Sequence, residues 1–338
     1  MKFFHYCLQR ANTMKNNYPL QGKVVVITGA SSGVGRAVAL EICRQGGSVV
    51  LAARRENILN DVAEECKVAG GDALVVQTDV TDAGQMNTLA AMAQHWGGKI
   101  DAWVNNAGLL AAGAFDETPT SINEKIIVTN LVGYMHGAHA VLPHFKAQGY
   151  GILINNISVG GWFPTPYAAA YSASKFGLRG FGEALQGELL HYPAIHVCNL
   201  FPAFLDTPGI QHAANFTGKV LRPAPPIYNP QRVAAAIAKL VNHPKNSVAI
   251  SGASHFLRFA HSVFPGLTRS MTANVIELYL RKADATVYTT GNVLEPVEYG
   301  TSIHGGWSLQ PKVKAAIAGA AIVFAGLTIG IAALASRK

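Results

Sequence analysis

Lys23-Val-Val-Val-Ile-Thr28 runs without a break into Gly29-Ala-Ser-Ser-Gly33-Val-Gly35, and then into a helical pattern over residues 36–44. A short β-branched apolar run is the mark of a strand buried on both faces of a parallel sheet. Glycines at the turn from such a strand into a helix let backbone N–H groups approach a pyrophosphate. The positive end of the helix dipole attracts the same group. The spacing is Gly-x-x-x-Gly-x-Gly, not the more familiar Gly-x-Gly-x-x-Gly. The strand before and the helix after turn a common glycine pattern into a nucleotide-binding expectation.

Outward from this stretch, strand patterns are expected at residues 23–28, 48–52, 73–77, 100–105, 151–157, 195–201 and 247–251, with helical patterns between them. Such alternation predicts an α/β fold: a doubly wound, Rossmann-type parallel sheet of about seven strands with helices on both faces. We therefore divide the 338 residues into an N-terminal extension (1–20), the sheet domain (21–252), a C-terminal extension and linker (253–310), and a tail (311–338). Residues 1–13 are read as an extension rather than a secretory signal, and translation from Met14 is equally compatible with the sequence.

Within the domain, Tyr171-Ser-Ala-Ser-Lys175 puts a phenol and an ammonium one turn apart on a single helix face, with Ser158 upstream. The ammonium favours the phenolate and pulls a phenol of ordinary pKa about 10 towards neutrality. Tyr171 is thus a candidate general acid/base. On its own the pair also reads as an ordinary helix-surface pair; its company decides between the two.

In order and spacing, Thr28-Gly-Ala-Ser-Ser-Gly-Val-Gly35, Asp79, Asn105-Asn-Ala-Gly108, Asn130, Ser158, Tyr171, Lys175, Pro202 and Thr207 resemble the short-chain dehydrogenase/reductase family across residues 21–252. Two positions depart from that pattern: Ala203 follows the proline where glycine is usual, and Ile157 replaces the first of two serines. Neither position carries the chemistry. The resemblance implies that Tyr171 protonates a carbonyl oxygen as hydride arrives from a nicotinamide, while Ser158 steadies the developing alkoxide. It implies that Lys175 lowers the phenol pKa and binds the nicotinamide ribose, and that Asn130 holds a water linking Lys175 to solvent. Cofactor-binding positions carried over are Gly29, Ser31, Ser32, Gly33, Val34, Gly35, Asp79, Asn106, Ala107, Gly108, Thr207, and again Tyr171 and Lys175. Asp79 reads equally well as a helix cap, and Tyr167 as substrate-facing or structural.

Cofactor choice is read from the end of the second strand pattern, where Ala53 stands in place of the carboxylate that would accept from the ribose hydroxyls of NAD. Arg54 follows, and a guanidinium can bind a 2′-phosphate bidentately. The expectation is NADP (NADPH) over NAD.

Composition limits the alternatives. The net charge of +8 is scattered, without a basic stripe or interleaved aromatics, which argues against nucleic acid as a partner. Cys7, Cys43, Cys66 and Cys198 show neither metal nor redox spacing and suit reduced thiols; no metal site is expected. Residues 315–335 hold no charge, and about 1.5 Å per residue carries them across the roughly 30 Å of a bilayer core. Lys312, Lys314, Arg337 and Lys338 flank them. We expect a single-pass transmembrane helix acting as a tail anchor, with the catalytic domain facing the cytosol, and membrane lipid as a partner. The competing reading is a buried or oligomer-interface helix. A homo-oligomer is also expected.

The loop after Pro202 is long and partly apolar, and with Trp162 and Phe163 it suggests a lid over an apolar pocket. Residues 255–264 read as an amphipathic helix suited to a membrane interface, to the domain surface or to a second subunit. Residues 273–282 read as a further helix and 284–306 as an irregular linker. The function expected is NADP(H)-dependent interconversion of a carbonyl and an alcohol on an apolar, lipid-like small molecule. The alternative is a membrane-tethered nucleotide-binding or scaffold protein with little turnover.

Overall fold

In a computed structural model, residues 18–307 are described. Strands β1 (Val24–Thr28), β2 (Ser48–Ala53), β3 (Ala73–Gln77), β4 (Ala102–Asn105), β6 (Gly151–Asn156), β7 (Ile195–Phe201) and β9 (Ser247–Ala249) form one sheet in the order β3-β2-β1-β4-β6-β7-β9. Every pairing in it is parallel. The order reverses direction between β1 and β4, and in such sheets the crevice beyond the strand ends at that point receives ligands.

β1 explains the two-sided core. Val25 and Ile27 face one apolar layer, built with helices α1 (Gly33–Arg44), α2 (Glu56–Val68) and α7 (Gln231–Asn242). Val24 and Val26 face the other, built with α3 (Ala83–Gly97), α5 (Gly133–Gln148) and α6 (Ala169–Glu188). Alternate residues point to opposite faces, so a continuous apolar run is what a strand covered on both sides requires. Helix α4 (Thr120–Ile127) leads into a π-helical turn, Val128–Val132, before α5 begins.

Sequence reading missed a small second sheet, in which β5 (Ala111–Ala112) pairs with β8 (Ala214–Asn215). Two residues per strand leave no periodicity to detect. This pairing ties down the long loop after Pro202 that was expected to be a lid. Helices α8 (Gly252–Val263) and α9 (Pro265–Lys282) form a hairpin beyond the sheet. Residues 284–306 carry no helix, as expected, but they are no free linker. Isolated bridges pair Lys219 with Ala285 and Asn215 with Thr289, and the chain then crosses the nucleotide crevice as a strap.

The anticipated membrane span at 315–335 and the N-terminal residues 1–17 lie outside the described residues. Among the described residues, no helix is long and apolar enough to cross a membrane.

Candidate active site

The glycine-rich turn is shaped by what a Cβ would strike. One at Gly35 would lie 2.2 Å from the Gly29 carbonyl oxygen, and one at Gly29 would lie 2.8 Å from Ala107 Cα. Gly29 and Gly33 hold φ of 66° and 54°, the left-handed region that glycine occupies without strain. Thr28 clamps the turn to the end of β4: its Oγ1 accepts from the amides of Asn106 (2.9 Å) and Ala107 (3.2 Å). Asn106 Nδ2 donates back to the Thr28 carbonyl at 3.0 Å.

A cavity of about 260 Å³ opens from this turn. Of the expected cofactor positions, Gly29, Ser31, Ser32, Gly33, Val34, Arg54, Asp79, Asn106, Ala107, Gly108 and Thr207 all line it. Gly35 lies beneath the turn instead, while Tyr171 and Lys175 stand outside this cavity. Asp79 is not the helix cap. That place belongs to Asp82, which accepts from the Gly84 and Gln85 amides at 2.8 and 3.1 Å. Burial pushes the Asp79 carboxyl up, but hydrogen bonds from the Thr81 amide and hydroxyl, with Lys125 and Arg54 nearby, bring it below the usual carboxylate range.

Beside the cavity, sequence reading missed Arg55. It is buried, and Nη2 donates to Ser31 Oγ at 3.0 Å while Nη1 donates to the Val297 carbonyl at 2.8 Å. Arg54 Nη2 donates to the Asn292 carbonyl at 2.7 Å. Both guanidiniums therefore converge on the end of β2 and on the strap. The strap continues along α1, where Ser302 O accepts from the Gly33 amide at 3.0 Å and Thr301 O from Arg36 at 2.7 Å. Trp307 pins its end: the backbone amide donates to Asp206 Oδ1 at 2.7 Å and Nε1 to the Thr207 carbonyl at 3.0 Å. No local signal in residues 284–307 announces these partners, since every one of them is distant in sequence.

The second cluster is built by α6, β6 and the π-helical turn. Ser158 follows β6 with φ 128°, unusual for a residue with a side chain, and its Oγ accepts from the Gly160 amide at 3.1 Å. Burial raises the Tyr171 phenol pKa, and a hydrogen bond with the Ser158 side chain offsets part of the rise. Lys175, on the same helix face, sets its Nζ 5.5 Å from the Tyr171 ring centroid and 5.4 Å from that of Tyr134. Burial lowers Lys175 to about 7. The sequence expectation gave the ammonium as the main influence on the phenol; in the structure burial dominates both groups, because each loses solvation of its charged form. Asn130, fully buried, accepts from the Leu109 amide at 2.7 Å and donates to the Leu109 carbonyl at 2.9 Å. A Cβ on Gly108 would lie 3.5 Å from Asn130 Oδ1 and 3.9 Å from Lys175 Nζ. Gly108, which lines the nucleotide cavity, therefore joins the two clusters.

The family profile described as short chain dehydrogenase matches residues 23–216. The uncharacterized oxidoreductase YxnA of Bacillus subtilis is 33% identical over 262 residues, covering 76% of this chain and 73% of its own. The chain belongs to the short-chain dehydrogenase family. Among solved structures of this family's fold, an actinorhodin polyketide ketoreductase with NADPH is 28% identical, covers 69% of this chain and 97% of its own, and superposes with TM-score 0.63. An alcohol dehydrogenase from Thermococcus sibiricus complexed with 5-hydroxy-NADP is 26% identical, covers 67% and 95%, and gives 0.59. The chain is thus an oxidoreductase of the short-chain dehydrogenase type, for which a nicotinamide cofactor is indicated.

Beyond this second cluster, a cavity of about 820 Å³ is almost wholly apolar and is lined by Leu110, Phe163, Tyr167, Phe204, Ile210 and the inner faces of α8 and α9. Trp162 was expected in its wall. Instead the indole stacks on Phe201 at 3.7 Å, with the Arg258 guanidinium 4.6 Å from its ring centroid. Among the described residues, no group of three or more His, Cys, Asp or Glu could hold a metal ion.

Proposed function

We propose that this short-chain dehydrogenase is an NADP(H)-dependent enzyme that interconverts a carbonyl and a primary or secondary alcohol on an apolar, lipid-like substrate. The observation that carries this reading is the Ser158–Tyr171–Lys175 cluster abutting, through Gly108, the cavity of the glycine-rich turn. The turn fits a dinucleotide, because its glycines keep Cβ atoms out of a space that a diphosphate needs. Ser31, Arg54 and Arg55 fit a ribose 2′-phosphate, and Ala53 supplies no carboxylate at the end of β2, although Asp79 lines the same cavity and Glu298 acts on Arg55. The Gly33 amide, which here donates to the Ser302 carbonyl, would be one of the donors that hold the diphosphate.

The nicotinamide, when bound, gives or takes the hydride. Tyr171 then hands its hydroxyl proton to the substrate oxygen in the reductive direction and reclaims it in the oxidative one. The Ser158 hydroxyl donates to the same oxygen and stabilises the charge that develops there. Lys175 recharges the phenol site when protonated, which its pKa of about 7 permits near neutrality. Asn130 braces the turn at Leu109 that frames the cluster. The 820 Å³ apolar cavity begins at Tyr167 and Ala168, less than one turn of chain from the phenol, and supports a bulky apolar substrate.

NADPH consumption over a panel of apolar ketones and aldehydes tests this. We expect turnover by wild type, and at least ~100-fold less by Tyr171→Phe with NADPH binding retained. An equal or better rate with NADH overturns the cofactor assignment. Binding without consumption by either protein selects the scaffold alternative. We further infer that residues 315–335 anchor the chain in a membrane, with the domain on the cytosolic side, and that the chain self-associates. Release of the full chain from vesicles by alkaline carbonate overturns the anchor, and a monomer by light scattering in mild detergent overturns the self-association.

A further inference from the structure

Helix α9 runs for 18 residues without burying one of them, and α8 buries only Ser254. Phe256, Phe259, Leu267, Val275 and Leu278 are between 46% and 64% exposed, and all but Leu278 line the apolar cavity described above. The apolar side of the hairpin is therefore the open wall of that cavity, exposed along its rim. A contiguous apolar surface of this kind on a folded domain marks an interaction site. Its charge says which kind: Arg281 pairs with Glu277 and Arg258 lies over Trp162, which leaves Arg269 and Lys282 with no carboxylate on the hairpin to answer them. Cations flanking an apolar face match an anionic lipid surface.

The exit point of the chain agrees. Trp307 is fixed on Thr207, between Phe204 and Ile210, which both line the cavity under the hairpin. Ala315 lies eight residues beyond Trp307, a covalent reach of at most about 29 Å.

We propose that the α8–α9 hairpin docks on an anionic bilayer, the exposed rim of its cavity-lining side among the acyl chains and the mouth of the cavity open to the lipid. An apolar substrate then passes from the bilayer to Tyr167 without crossing water. The docking surface stands independently of turnover; only the substrate route rests on the carbonyl–alcohol reading above.

The test uses the full chain, Cys7→Ser, in phosphatidylcholine vesicles with and without phosphatidylglycerol, the acyl chains brominated. Phe259→Cys and Val275→Cys carry an environment-sensitive fluorophore; Val68→Cys, at a site 91% exposed on α2, is the control. We expect bromine to quench both hairpin labels at least twofold, more strongly with phosphatidylglycerol, and to leave the control bright. Hairpin labels as bright as the control overturn the proposal. So do labels that quench one another between chains at low protein-to-lipid ratio, since a second copy then covers the face. No cofactor or substrate is present, so a chain that docks but does not turn over sinks the functional reading alone.

Discussion

Lys175 is the residue whose surroundings have the clearest consequence in solution. Burial takes its pKa from 10.5 to about 7 in the cofactor-free protein. Between those values the unfolded chain holds a proton that the folded chain lacks, so unfolding takes one up. Stability then rises with pH across that window, by up to about 1.4 kcal/mol per unit for one proton, and the contribution is gone below about pH 7. Urea midpoints at pH 7 and pH 9 for wild type and Lys175→Met check this. We expect wild type to gain on the variant as pH rises; parallel behaviour sinks the assignment. At this scale the sequence was informative wherever chemistry forces spacing, as in Tyr171 and Lys175 one turn apart. It was silent on Arg55, because two adjacent arginines opening a helix look alike until the fold buries one beside Ser31.

Among the elements, the strands were readable within about two residues at each end, because each carries a β-branched run with turn residues behind it. The strap was not. Its residues form no periodic pattern, and its hold consists of backbone carbonyls accepting from Arg36, Arg54, Arg55 and the Gly33 amide. Any sequence could supply those carbonyls, so none betrays the contact. Trp307 is the pin, and Trp307→Ala removes the indole bond to Thr207 while keeping the backbone bond to Asp206. A single neutral hydrogen bond is worth about 0.5–1.5 kcal/mol, roughly a two- to tenfold change. We expect NADPH to leave the variant faster by about that factor in a stopped-flow displacement measurement. An unchanged rate means that the strap does not cover bound nucleotide.

For the molecule as a whole, a polar ladder inside the apolar sheet ties its parts together. Asn105, Asn155 and Asn199 sit opposite one another on β4, β6 and β7. Asn105 Nδ2 donates to Asn155 Oδ1, and Asn155 Nδ2 donates to Asn199 Oδ1, both at 3.1 Å. Gly137 and Gly182 make room on the covering helices, since a Cβ on either would come within 2.3 Å of an asparagine side-chain atom. Asn155→Ala strips Asn199 Oδ1 of this donor and leaves Asn105 Nδ2 the Tyr134 carbonyl at 3.2 Å, and is expected to cost about 1–3 kcal/mol of unfolding free energy in urea. A loss under about 1 kcal/mol shows that water or repacking replaces the ladder. Sequence reading marked Asn105 through its motif but had no reason to join it to Asn155 or Asn199, which are partners only once the parallel order is set.

The strap also dictates when the crevice is completed. Its bonds to Arg54 and Arg36 join positions 238 and 265 residues apart. Since a nascent chain emerges amino end first, the glycine turn and both arginines are made long before the wall that faces them. A product interrupted between Ala249 and Asn292 holds every strand of the sheet and still leaves its crevice unwalled, with Arg54 and Arg36 facing no strap carbonyl. This late-made strap is therefore the segment that decides whether the crevice of a newly synthesised molecule is walled.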